Sequence, residues 1–164
     1  MNQDHSILWR RLDMPGHESV LVYSDEGWYL DGAAIFLHDG KACRLEYLIK
    51  CDPEWKTGSA SIDGWINDVP LNIEIDVIQG NRWHVNGEEI QAVTGAVDLD
   101  LNFSPITNTL PLRRLGLNIA ESAEVRAAWL RFPSFELEPL EQTYTRLDES
   151  TYRFKVPEAA LFVK

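Results

Sequence analysis

Alternation at period two runs through most of the chain and constrains its fold more than any other feature. LNIEIDV (71–77) places Leu71, Ile73, Ile75 and Val77 on one face and Asn72, Glu74 and Asp76 on the other. VDLDLNF (97–103) repeats the design, with Val97, Leu99, Leu101 and Phe103 opposite Asp98, Asp100 and Asn102. Successive side chains of a strand point to opposite faces, so both segments predict strands with one dry face and one wet face. ESVLVYS (18–24), GWYLDGAAIFLH (27–38), CRLEYLIKC (43–51), SASIDGWI (59–66), RWHVNG (82–87), EQTYTRL (141–147) and TYRFKV (151–156) are further β-rich runs, most bounded by Gly, Pro, Asn or Asp. The expectation is an all-β fold, an antiparallel β-barrel or β-roll with at most short helical turns. At 164 residues, 1–164 forms one β domain with a core of its own.

The chain also echoes itself. The pattern W-x-[L/V]-[D/N]-G-x-x-I occurs at 28–35 and again at 83–90, and LEYLIKCDPEWKT (45–57) aligns with VDLDLNFSPITNT (97–109). Segments 18–57 and 71–109 therefore read as a duplicated hairpin-plus-long-strand unit, which on closing would hide its strand edges.

Charge excludes one partner class. With 26 acidic and 15 basic residues the net charge is −11, and nucleic acid would be repelled. The N-terminal residues MNQDHSILWRRLD lack the apolar run of a secretory signal, and no stretch is long and apolar enough for a membrane span, so a soluble, cytoplasmic chain is expected. Cys43 and Cys51, if on one strand, are separated by about 26 Å at ~3.3 Å per residue. That is far beyond disulfide reach, so both are expected to be reduced core thiols. No metal-ligand spacing, P-loop, G-x-G-x-x-G or G-x-S-x-G is present, and no cofactor is expected.

The candidate chemistry gathers in VDLDLNFSPITNTLPLRRL (97–115). Asp98 and Asp100 share one strand face, where they could face a ligand or simply be solvated. Pro105, Pro111 and the Thr107–Asn108–Thr109 run suggest a short helical turn that ends at Gly116. Arg113 and Arg114 must point in different directions, one toward the acids and the other to water; Arg113 is taken as the candidate, either as a brace or as an anion contact. Six tryptophans are present. Of these, Trp28 and Trp83, together with Tyr47, could line an apolar site, although core packing is the commoner fate of such residues. Glu18 follows a Pro-Gly turn and could enter a barrel mouth, although surface exposure is the commoner outcome.

ESAEVRAAWLRF (121–132) has helical spacing, with Val125, Ala128, Trp129 and Phe132 at i, i+3, i+4 and i+7, Ser122 as a cap and Pro133 as a stop. Periodicity alone predicts a helix there.

Taken in order, WRRLDMPGHES, LEYLIKCDPEWKT, GNRWHVNG, VDLDLNFSPITNTLPLRRLGL, VRAAWLRFP and PLEQTYTRL resemble the bacterial "putative glycolipid-binding" family, formerly a domain of unknown function typified by a structural-genomics protein from Pseudomonas. The resemblance spans residues 9–147, and the DxDLxFSPxTNTLPxRRL block is its most specific element. It implies a β-barrel or β-roll, so that, against the periodicity, a strand is expected at 124–132 with Val125, Ala127 and Trp129 on one face. It implies a glycolipid ligand and carries over no catalytic residues. Relatives are expected to continue for a strand or two beyond TYRFKVPEAALFVK, which would leave a barrel seam open.

Three function classes follow. The first, adopted as the expectation, is non-enzymatic binding of a glycolipid or other amphipathic small molecule in a barrel or cleft. Asp98, Asp100, Asn102, Asn108 and Arg113 would meet the headgroup, and Trp28, Tyr47 and Trp83 would form walls. The second is a hydrolase or isomerase of a sugar- or lipid-linked substrate using Asp98 and Asp100, or Glu18. The third is an interaction module, such as a homodimer through a strand edge or aromatic patch.

Overall fold

The structure, a computed structural model, describes residues 4–157. The expected seam at the end of the chain falls on residues outside that range.

The alternating segments form strands in strict succession. β1 (His5–Arg10), β2 (Gly16–Ser24), β3 (Trp28–His38), β4 (Lys41–Cys51), β5 (Thr57–Ile66), β6 (Val69–Ile78), β7 (Arg82–Val85) and β8 (Glu88–Glu89) make an eight-stranded sheet in which chain neighbours are sheet neighbours. All of its pairings are antiparallel. Tight turns set the register. Asp39–Gly40 and Asn86–Gly87 both have positive φ, at 49° and 74° and at 50° and 84°, which is the backbone twist that two-residue hairpin loops require.

A second sheet holds β9 (Asp98–Leu101), β10 (Ser122–Arg131), β11 (Glu136–Arg146) and β12 (Tyr152–Lys155), in the order β12-β11-β10-β9. β9 runs parallel to β10, the other pairs are antiparallel. A parallel pair needs a crossover. A 3-10 turn at Pro105–Asn108 and helix α1 (Thr109–Leu115) supply it. The fold is all-β with one short helix, as expected. Among the described residues, hydrogen bonding does not join β1 to β8, so the first sheet curls over the second without closing into a barrel. Thr57 stitches the two sheets at one corner: its N–H donates to the Val97 carbonyl (3.2 Å), and its Oγ1 accepts from the Leu99 N–H (3.1 Å).

The inner face of the first sheet, with Leu30, Leu45, Ile49, Ile62 and Ile75, packs on Leu99, Leu101, Ile106, Leu110 and Leu130 in one core. A smaller cluster joins Leu117, Val125 and Tyr144 on the far side of the second sheet. Cys43 and Cys51 are free, buried and on one strand.

Segment 122–131 is a strand, with Val125, Ala127 and Trp129 buried along one face. The helical spacing is deceptive because Ala128 and Leu130, on the opposite face, are buried as well. A strand covered on both sides fills both parities with apolar residues, and a helical pattern then arises by coincidence.

One expectation is corrected. β6 has the expected dry and wet faces, but β9 is buried throughout, with Asp98 only 1% and Asp100 only 5% exposed. The acid side of β9 does not meet water because Arg114 of α1 and Gln142 of β11 bond to it.

Candidate functional site

The inner face at the β1 end of the large sheet is where the packing opens. A cleft of about 480 Å³ lies between β1–β3 and the turn that follows β9. Its apolar walls include Trp9, Ala34, Phe103 and Pro105, and its rim carries Arg10, Arg11, Asp13 and His17. Trp9, Glu18 and Ala34 stand opposite one another on three adjacent strands, which explains how alternation delivers a carboxylate to an otherwise apolar surface.

Glu18 is only 5% exposed, contrary to the common fate of a glutamate, and it lines the cleft. Its Oε1 accepts short hydrogen bonds from the Tyr47 hydroxyl and from Ser104 Oγ. Those two hydroxyls are themselves 3.1 Å apart. Oε2 takes part in neither bond. Burial raises the Glu18 carboxyl above the usual range, outweighing the opposing pull of Ser104, Tyr47 and Arg11. The Tyr47 phenol is raised too, first by burial and then by the neighbouring Glu18 charge. At the rim Asp13 behaves oppositely. Arg11 donates to both of its oxygens, at 3.1 and 2.8 Å, and these hydrogen bonds hold its carboxyl low.

Two local devices position this triad. Tyr47 stands on β4 opposite Gly32 of β3, and its ring passes over that glycine to reach β2. Ser104 caps the 3-10 turn, accepting from the Ile106 N–H at 3.3 Å. Thr107 locks the same turn, its Oγ1 accepting from the Leu101 N–H and donating to the Ser104 carbonyl, both at 3.2 Å.

Asp98, Asp100, Asn108 and Arg114 of the 97–115 block are bonded inward. Arg114, not Arg113, faces the acids: its Nε and terminal nitrogen donate to Asp98 at 3.1 and 2.6 Å. Burial pushes the Asp98 carboxyl up against that pull, while the same hydrogen bonds raise Arg114. Asp100 accepts a short bond from Gln142, and Asn108 accepts from the Tyr144 hydroxyl at 2.9 Å. Asn102 Oδ1 accepts from the Phe132 N–H at 2.9 Å.

The sequence pattern of the "putative glycolipid-binding" family matches residues 6–164. The chain belongs to the putative glycolipid-binding family. A crystal structure of a DUF1089 family protein from Pseudomonas aeruginosa is similar to it, with a TM-score of 0.78 and 27% identity over 94% of this chain and 83% of that one. No curated protein matches the chain.

In this member of the putative glycolipid-binding family, the eight sequence-derived site residues do not assemble in one place. Asn102 lines the cleft, and Tyr47 stands behind its base through Glu18. Asp98, Asp100 and Asn108 are bonded to Arg114, Gln142 and Tyr144 instead. Trp83 is fully buried, its Nε1 donating to the Ala96 carbonyl at 2.9 Å. Trp28 stacks on Trp55 at 4.2 Å, and the exposed Arg113 lies 5.9 Å over Trp55. Sequence reasoning missed Trp9, Arg10, Arg11, Phe103 and Ser104 as cleft residues. WRRLD offered the one available signal, an aromatic beside paired cations immediately before the turn that leads to Glu18. Among the described residues no group of His, Cys, Asp and Glu could hold a metal ion, and no helix is long and apolar enough to cross a membrane.

Proposed function

We propose that the protein binds an amphipathic small molecule, without transforming it, in the cleft between β1–β3 and residues 102–105. Family membership makes a glycolipid the class of choice. The observation that carries this reading is a buried carboxylate, held by two hydroxyls, at the base of an apolar cleft with a cationic rim. About 480 Å³ lies within the roughly 300–1,000 Å³ typical of small-molecule sites. Desolvation of the apolar part would supply affinity at about 25 cal/mol per Å² buried. Glu18 and Asn102 would accept or donate hydrogen bonds to hydroxyls, and Arg10 would meet a polar or anionic headgroup. Two unpaired thiols on one strand fit a reducing, cytoplasmic setting.

Titration with an alkyl glucoside below its micelle concentration, read by tryptophan fluorescence and native mass spectrometry, tests the reading. Saturable binding that Ala34→Leu blocks, by filling the cleft wall, is the expected result. Absence of saturable binding, together with purified protein that yields no lipid on organic extraction, would refute it.

A second reading rests on one observation: two carboxyls line the same cleft in unlike surroundings, Glu18 buried at its base, where burial raises it, and Asp13 paired with Arg11 at its rim, where that pairing lowers it. That is the division of labour of an acid–base pair acting on an acetal or ester. It predicts turnover of a chromogenic glycoside or ester that Glu18→Gln abolishes, and no turnover of either substrate removes it.

A further inference from the structure

One row of residues on the outer face of the large sheet differs from its neighbours. Hydrogen-bond register places Arg10, His17, Ile35, Arg44 and Trp65 side by side across β1 to β5. All five point away from the core, since Glu18, Ala34, Phe36, Cys43 and Leu45, which alternate with them, are buried. Ile35 is 57% and Trp65 37% exposed. The row contains no carboxylate, although the chain as a whole carries a charge of −11. The next row along the strands does contain acids, and Glu46 there pairs with Arg44. Arg10 and His17 are also rim residues of the cleft, as is Leu12, a leucine 90% exposed in the loop joining β1 to β2. The cationic-apolar row and the cleft mouth therefore form one continuous surface.

We propose that this surface docks the protein on an anionic lipid bilayer, with the cleft mouth turned toward the membrane. The inference rests on the cleft reading for its purpose, since an amphipath held there must come from and return to a lipid phase. Its physical basis is separate. Arginine beside exposed tryptophan and branched aliphatic side chains is the composition of interfacial binding, in which apolar groups enter the headgroup boundary while cations meet anionic lipid. The remaining acidic surface is repelled by the same bilayer, which favours the orientation that presents this row. Screening within about 8 Å at physiological salt keeps that repulsion from cancelling the local attraction.

Co-sedimentation with vesicles tests the proposal, comparing phosphatidylglycerol mixed with phosphatidylcholine against phosphatidylcholine alone. The native chain should partition onto the anionic vesicles and be released by salt. Arg44→Gln should weaken partition roughly five-fold, as expected for the loss of one surface cation. Ile35→Asn and Trp65→Ser should weaken it further while remaining folded, as circular dichroism and a cooperative melt would show. Neither residue lines the cleft, so alkyl glucoside affinity should stay native in these variants. Loss of glucoside binding in the native chain would strike the cleft reading alone. Native protein that ignores anionic vesicles at low salt, or variants that partition as the native chain does, would overturn the docking surface. A dimer mass abolished by Ile35→Asn, in protein that ignores vesicles, would overturn it in favour of a second copy of the chain.

Discussion

The ring of Tyr47 lies directly over Gly32, and a methyl group on that glycine would overlap its Cζ and hydroxyl. This contact lets a residue of β4 hand its hydroxyl to Glu18 on β2, across the strand between them. Gly32→Ala should therefore cost about 1–3 kcal/mol by overpacking. The cost should shrink in a Tyr47→Ala background, where the ring is gone. Chemical denaturation of the four proteins of this cycle measures the coupling. Equal costs in both backgrounds would show that the ring is not what the glycine accommodates.

Stability should depend on pH through Glu18. Burial lifts its carboxyl above the usual 4.5, so the folded chain holds this proton more tightly than the unfolded chain. The stabilisation this confers is complete below the unfolded value and is lost as pH rises through the folded one. Glu18→Gln keeps the shape without the ionisation. The melting temperature of native protein relative to this variant should fall as pH is raised from the acid side of 4.5 toward neutrality. A difference that stays flat with pH would refute the assignment.

The two arginines should separate cleanly. Arg114 braces Asp98, which is almost wholly buried, and removing one member of such a pair leaves an uncompensated group, at a cost of about 3–5 kcal/mol. Arg114→Met, which strands the buried Asp98, should destabilise by that order, and Asp98→Ala by less, because the Arg114 side chain is 21% exposed and can turn to water. Asp98→Leu combined with Arg114→Met should cost less than the two single changes together. Arg113→Ala, which removes only an exposed contact with Trp55, should cost about 0.5–1 kcal/mol. Urea midpoints distinguish these cases, and equal losses for Arg113 and Arg114 would contradict the pairing.

Strands were legible because alternation is a local property: β2 to β6 appear where apolar and polar residues take turns, and Asn86–Gly87 turns the chain where its composition says it should. Burial on both sides was not legible. In β9 and β10 the second face is covered by distant parts of the chain, so Asp98 looks like a solvated acid and the Ala127–Leu130 stretch looks helical. The braces of the 97–115 block follow the same logic, since Gln142 and Tyr144 lie over 30 residues away from Asp100 and Asn108. Glu18 illustrates the reverse case. Its parity beside Val20 and Val22 already placed it on the dry face, but only the Tyr47 and Ser104 hydroxyls, from other strands and turns, give a carboxyl there a partner. The echo between WYLDGAAI and WHVNGEEI also has two structural uses: Gly32 lies within β3 under a tyrosine ring, whereas Gly87 completes a turn.

The two cysteines give the last test. Both are free and buried on β4. Burial, reinforced by the charges of Asp52 and Asp98, pushes the Cys51 thiol up to about 12, and burial raises Cys43 as well. Only the thiolate is an effective nucleophile, so neither side chain is poised for modification at neutral pH. A chromogenic disulfide reagent should label neither thiol in native protein on the timescale of minutes and both at once in denaturant. Because Cys51 sits at the corner where Thr57 stitches β5 to β9, its labelling rate reports the opening of that seam. Thr57→Val, which removes the Oγ1 acceptor for the Leu99 N–H, should accelerate labelling of Cys51 more than that of Cys43. Equal acceleration at both positions would mean that the chain opens as one unit and that the corner has no local stability of its own.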